Sequence, residues 1–324
     1  MALEEKAFLQ AMPEGLQKKQ ENAVRRAISG DNRLLQQIRA SRNMSVSLPA
    51  GVDTVELDGI YRLYRPESRR GEYLPLLIYL HGGGWCFGSL NSCARFCSEL
   101  ALHAGIAVLA VDYPLAPEFP YPVALESCVE AVRFAHANAE RYGFRHDSIS
   151  IGGDSAGGNL ALAVSLKMSA VRNNPAADTV ANLNSLVLFY PVTKVWNDSS
   201  ASWNDFRNGY GLDGSLMDAF NEAYLCGHDA CTPLISPACA PDSMLASIPR
   251  TLIVNASHDI LRDQGRELFD RLNACGVECG RYELPGTSHL FITVAGQAEA
   301  FSESVRLTSD FLRGSKSCHP DSLR

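Results

Sequence analysis

The sequence predicts an α/β protein: a mostly parallel central sheet with helices on both faces and a helical cap. Three observations carry this. Continuous apolar runs such as Leu74 to Leu80, Ile106 to Val111 and Ser185 to Tyr190 have the length and uniformity of strands buried on both faces. Helical stretches separate most of these runs, as crossover connections in a parallel sheet require. Residues with chemical potential recur where the runs end, and in open α/β sheets sites gather at the carboxyl ends of the strands.

The elements follow in order. Residues 1–45 read as amphipathic helices, with Leu16, Ala23 and Ala27 on one face. Gly30-Asp31 breaks the run, and Asp31 is placed to cap a second helix whose apolar stripe is Leu34, Leu35 and Ile38. This segment has two readings, a surface arm or part of a cap. The main domain spans 46–313. Val52 to Arg65 is extended, with a turn at Gly59, and Pro66 ends it. The strand Leu74 to Leu80 runs into His81-Gly82-Gly83-Gly84-Trp85. A helix over Asn91 to Ala104 precedes the strand Ile106 to Val111, which ends at Asp112-Tyr113-Pro114-Leu115-Ala116-Pro117-Glu118. Pro122 to Tyr142 is helical, Ser148 to Ile151 β-prone, and Asn159 to about Arg172 helical again. After the strand Ser185 to Tyr190, residues 193–225 break the strand-helix rhythm. They are polar and aromatic (Trp196, Trp203, Phe206, Tyr210) and end in a helix, Gly214 to Leu225, so they read as a cap insertion. Thr251 to Asn255 and Cys279 to Leu284 are the last strands, Gly265 to Ala274 and Ala295 to Leu312 the last helices, and 314–324 a polar tail.

The chain has 324 residues, 46% hydrophobic and 20% charged, enough for a large core. Its formal net charge of -7 argues for neither nucleic acid nor an anionic membrane as partner. The N-terminus lacks the basic start and apolar core of a signal peptide, and the apolar runs are too short to span a bilayer. Ten cysteines without an export signal are expected to be reduced and mostly buried, in a cytoplasmic setting. The spacings Cys93 to Cys97 and Cys275 to Cys279 make no zinc pattern, so no metal site is expected. Oligomeric state stays open, a homo-oligomer included.

Gly153-Asp154-Ser155-Ala156-Gly157 fits G-x-S-x-G between a strand and a helix. A serine on so sharp a turn needs small neighbours two residues away on either side, and the helix behind it aims free N–H groups at its hydroxyl. Such a serine needs a base, an acid to orient the base, and donors for an oxyanion. His289 lies between the last strand and last helix and is the candidate base; His258 abuts Asp259, and His319 sits in the tail. Asp259, near the end of the strand before it, is the candidate acid. Asp263 has an alternative reason to exist, as a cap on the helix it precedes. Gly83 and Gly84, unshielded after a buried strand, and Ala156 after the serine would supply the oxyanion donors. His81 reads as structural. Trp85 is a candidate substrate contact; Trp196, Trp203 and Phe206 either share that role or form cap core.

Together the His81–Trp85, Asp112–Glu118 and Gly153–Gly158 motifs resemble the hormone-sensitive lipase family of α/β-hydrolases, over about Leu74 to Leu312. Asn221 to Leu225 and Leu284 to His289 are similar to bacterial acetyl esterases. The resemblance implies an α/β-hydrolase fold and a Ser155, Asp259, His289 triad. It implies an oxyanion hole of Gly83, Gly84 and Ala156, and a cap from the N-terminal helices plus the insertion. The activity it implies is hydrolysis of small-molecule short-chain acyl esters with no metal or organic cofactor. A histidine acting as base must be neutral, so activity is expected to fall as pH drops through roughly 6 to 7. Two departures stand out: Leu290 where the family has glycine, and His258 where an aromatic residue is common. An amidase or deacetylase with the same triad, and a non-catalytic binding protein on this fold, are the rival readings.

Overall fold

The structure is a computed structural model that describes residues 2–172 and 182–314; the polar tail from 315 onward lies outside the described residues. Eight strands form one sheet: β1 (Val52–Leu57), β2 (Tyr61–Pro66), β3 (Leu74–Leu80), β4 (Ala107–Val111), β5 (Phe144–Asp154), β6 (Ser185–Phe189), β7 (Arg250–His258) and β8 (Cys279–Ser288). Their order is β1-β2-β4-β3-β5-β6-β7-β8. The hairpin β1–β2 joins β4 antiparallel, and the remaining pairs are parallel. This is the architecture expected from the apolar runs, since a strand covered on both faces has no reason to alternate.

β3 shows why. Leu76, Ile78 and Leu80 join one side of the core, and Leu77 and Tyr79 the other, with every one of them buried. Each such side chain taken from water contributes about 1.5–3 kcal/mol. Helices α4 (Ala94–Ala104) and α12 (Ala298–Leu312) pack against the second face through Phe96, Leu100, Phe301 and Phe311. The first face is covered by α5 (Val123–Ala137), the short α6 (Ala139–Tyr142), α7 (Ala156–Arg172), α10 (Asp242–Leu245) and α11 (Arg262–Ala274).

The N-terminal segment forms α1 (Ala2–Ala11), α2 (Leu16–Ile28) and α3 (Arg33–Arg42). Ala23, Val24, Ala27, Leu35 and Ile38 are buried on the faces the periodicity marks out. α3 begins one residue later than expected. Asn32 stands at its cap position, while Asp31 pairs with Arg26 and Arg33. The interrupting region holds α8 (Ala201–Phe206) and α9 (Gly214–Leu225). α9 packs on α2, Arg25 pairs with Glu222 at 3.0 Å, and Gln17 donates to the Gly211 carbonyl at 2.6 Å. Residues far apart in sequence thus form one roof at the carboxyl end of the sheet. The nine cysteines among the described residues are free thiols, with Cys86, Cys93, Cys97 and Cys128 buried. Among the described residues no helix is long and apolar enough to cross a membrane.

Candidate active site

β5 ends at Asp154 and α7 begins at Ala156, so Ser155 alone makes the turn, at φ +53°. A non-glycine residue in that region is strained and persists only where its surroundings enforce it. Here the Ser155 N–H donates to the Phe189 carbonyl at 2.9 Å, and the Ser155 carbonyl accepts from Asn159 and Val192. The small neighbours are obligatory. A Cβ on Gly157 would run into the carbonyl oxygens of Leu80 and His81, and one on Gly153 into the Leu80 carbonyl and the Gly157 backbone.

His289 Nε2 lies 3.1 Å from Ser155 Oγ, and its Nδ1 lies 2.7 Å from Asp259 Oδ2. All three residues are buried, at 5%, 1% and 1% exposure for Ser155, Asp259 and His289. Asp259 has a local role as well: its Oδ1 accepts the Leu261 N–H at 2.9 Å, which fixes the carboxylate as the chain leaves β7. Asp263 does not cap its own helix. It lies inside α11, and its Oδ2 accepts the Ser202 N–H at 2.9 Å, so it anchors the first turn of α8 across the structure.

The loop His81–Trp85 is held from below and from the side. Asp154 Oδ1 accepts from both the Tyr79 hydroxyl and the Gly82 N–H, each at 2.9 Å. The Tyr113 hydroxyl donates to the His81 carbonyl at 2.6 Å, and its ring stacks on His81. Arg39 donates to the Cys86 and Ala116 carbonyls and pairs with Glu118. The Asp112–Glu118 motif is therefore a brace for this loop. Among the described residues, neither the Gly83 nor the Gly84 N–H donates to a protein acceptor. Burial lowers the His81 pKa, which keeps that ring neutral within the brace.

Ser155, His289, Gly83 and Gly84 line one cavity of about 320 Å³. Its roof is apolar: Phe8 and Met12 from the N-terminal segment, and Leu216, Met217 and Phe220 from α9. Trp85 is not part of it. The expected substrate contact is corrected: Trp85 is fully buried and stacked on Tyr224, with ring centroids 4.3 Å apart. At φ +57° its backbone turns the indole beneath α9, and Phe87 and Phe220 are the aromatics that line the cavity beside the glycines. Trp196, Trp203 and Phe206 do not line it either.

Three contacts were not foreseen. Gln297 is buried; its Oε1 accepts the Ser288 N–H, and its Nε2 donates to the Ser288 and His289 carbonyls, which fastens the histidine loop. Tyr190 packs its ring 4.4 Å from that of His289. His258 Nδ1 lies 2.8 Å from Glu5 Oε2, tying α1 to the end of β7 one residue before Asp259.

A buried serine, aspartate and histidine, in that chain order, at the carboxyl ends of a mostly parallel sheet define the class as an α/β-hydrolase. The profile of the family described as alpha/beta hydrolase fold matches residues 77–293, and the chain belongs to that family, in its hormone-sensitive lipase branch. An arylesterase of Saccharolobus solfataricus is 35% identical over 234 residues, covering 71% of this chain and 72% of its own. Carboxylesterase NlhH of Mycobacterium tuberculosis is 31% identical over 276 residues, 83% of this chain and 84% of its own. A thermostable esterase from Pseudomonas putida superposes with a TM-score of 0.82 at 27% identity over 96% of each chain. Against a mimivirus relative the match takes in 64% of that protein's length.

Proposed function

We propose that this protein is a serine carboxylesterase that hydrolyses short-chain acyl esters of the acetyl type, with Ser155 as nucleophile, His289 as base and Asp259 as the orienting acid. That chemistry makes it a carboxylic ester hydrolase. His289 Nε2 takes the Ser155 proton as Oγ attacks the ester carbonyl, and Asp259 stabilises the imidazolium. The N–H groups of Gly83, Gly84 and Ala156 receive the oxyanion. His289 then protonates the leaving alcohol, and a water activated by the same nitrogen hydrolyses the acyl-enzyme.

The observation that carries the reading is the hydrogen-bond chain from Ser155 Oγ through His289 to Asp259, at 3.1 and 2.7 Å. The preference for small esters rests on the cavity: about 320 Å³ is near the lower end of ligand pockets, which run from about 300 to 1,000 Å³. The unpaired thiols fit a reducing compartment such as the cytoplasm. The test is hydrolysis of p-nitrophenyl esters from acetate to palmitate, beside Ser155→Ala. Fast acetate and butyrate turnover, lost by orders of magnitude in the variant, supports the proposal. A long-chain preference overturns the substrate class, and turnover unchanged in Ser155→Ala overturns the mechanism.

A further inference from the structure

A second cavity, about 360 Å³, adjoins the first. Arg42, Gly83, Phe87, Leu290, Val294 and Ala295 line both. Leu290 stands in the shared wall at φ +78°, so this wall contains the residue that departs from the family's glycine. The lining of the second cavity is unlike the surface of a chain with net charge -7. It contains Arg39, Arg42 and Arg95, and no aspartate or glutamate among the described residues.

The three arginines differ in what they already do. Arg39 is committed to Glu118 and two carbonyls. Arg42 and Arg95 have no carboxylate or carbonyl partner among the described residues. The first lies over the Phe87 ring, 5.3 Å from its centroid, and the second over Phe301 at 4.3 Å. A guanidinium stacked on an aromatic face is oriented by it, while its N–H edge stays free for bidentate pairing. Both side chains keep contact with water through the cavity. The protein crowding round Arg42 lowers its pKa below the ordinary arginine range, and its charge is nonetheless fully retained at neutral pH. Two oriented cations without an anionic partner thus line a cavity that shares six residues with the one holding Ser155 and His289.

We propose that the second cavity is an anion subsite, in which Arg42, seconded by Arg95, holds a carboxylate carried by the ester substrate while its ester carbonyl lies at Ser155. The substrate class is then a half-ester or an acyloxy acid, and this inference rests on the esterase reading above. Charge-assisted, bidentate pairing of this kind gives selectivity and not only affinity.

The experiment compares matched pairs by direct product detection. Monomethyl adipate against methyl hexanoate places the charge on the acyl side; 4-acetoxybutanoate against propyl acetate places it on the alcohol side. One anionic ester should exceed its neutral partner in kcat/KM by about tenfold or more. That ratio should collapse towards one in Arg42→Gln, fall in Arg95→Gln and be partly restored in Arg42→Lys. Should Arg42→Gln fail to fold, raising salt from about 0.05 to about 0.5 M must shrink the ratio in the unaltered protein. If neutral esters are turned over but neither anionic ester is preferred, or if the ratio ignores both substitutions and salt, the anion subsite is refuted and the esterase stands. If no ester is hydrolysed and a fluorophosphonate fails to label Ser155, both fall.

Discussion

Asp154 is a carboxylate 1% exposed, wedged between Tyr79 and the Gly82 N–H immediately before Ser155. Burial pushes its pKa up from 3.8 to about 6, against the opposing pull of those two hydrogen bonds. Between the two values the folded state holds a proton that the unfolded chain has released. The stability contributed by this group is therefore fully present below about 3.8 and is lost as pH rises through about 6. The difference between 3.8 and about 6 corresponds to ~3 kcal/mol in full, of which roughly half, ~1.5 kcal/mol, is lost between about pH 5 and about pH 7.5. Asp154→Asn removes the titration and keeps an oxygen to accept from Tyr79 and Gly82. Its stability relative to the parent should rise by ~1.5 kcal/mol over that pH interval. The assay is urea unfolding followed in parallel by tryptophan fluorescence and far-UV circular dichroism at both pH values, with coincident transitions required. A fixed cost from altered hydrogen bonding cancels, because the same pair of proteins is compared twice. A relative stability that stays flat or falls with pH would refute the reasoning. Tyr79 and Gly82 would then outweigh burial, and Asp154 would be an ordinary ionised carboxylate bracing the His81–Trp85 loop.

Four further outcomes follow from the contacts. Asp259→Asn should lower kcat by about 10³- to 10⁴-fold with little change in the circular dichroism spectrum. Asp263→Asn should instead lower the unfolding free energy by about 1–3 kcal/mol through the loosened α8 turn, with far smaller loss of kcat; a reversal of the two would exchange their roles. Gly84→Ala places a methyl group on the Phe220 ring at φ +59°, so both the melting temperature and kcat should drop; an unchanged melting temperature would mean that α9 yields freely. Glu5→Gln weakens the link between α1 and His258, and hydrogen exchange over residues 2–11 should accelerate while exchange in β3 stays put. Unaltered exchange would show that packing of Phe8 alone holds the helix.

The sheet was readable because its central strands are covered on both faces: Leu74–Leu80 appears as an unbroken apolar run, and its limits coincide with β3. The positions of Ser155, His289 and Asp259 were readable from strand ends and chain order. The limits of β7 and β8 were not. Both run three or four residues further, to His258 and Ser288, through polar residues whose pairing is set by the neighbouring strand and not by hydropathy. Asp263 was read as a local cap because local capping is what a sequence displays. It pairs locally with Arg262 and Arg266, but the N–H it accepts at a helix start is that of Ser202, 61 residues away. Gln297 and the Glu5–His258 pair escaped for the same reason.

The contrast has a physical origin. Around Ser155 the backbone itself is the constraint: Gly157 stands against the Leu80 carbonyl, and nothing larger fits, so the residue type is dictated wherever the turn occurs. Around the cavity beside Ser155 the constraint is only that a wall be apolar. Phe8, Met217 and Phe220 satisfy it, but so would many other side chains, and on their own helices they look like any buried stripe. Trp85 shows the error this produces. It has the composition of a substrate contact and the right neighbours in sequence, yet a positive φ and Tyr224 carry it into the core. A charged residue in such a wall is different, because few side chains could take its place: a guanidinium offers an anion a fixed fork of donors. Among the described residues Arg42 is the one cation in the lining of both cavities, which is why selectivity is inferred from it and not from the apolar roof.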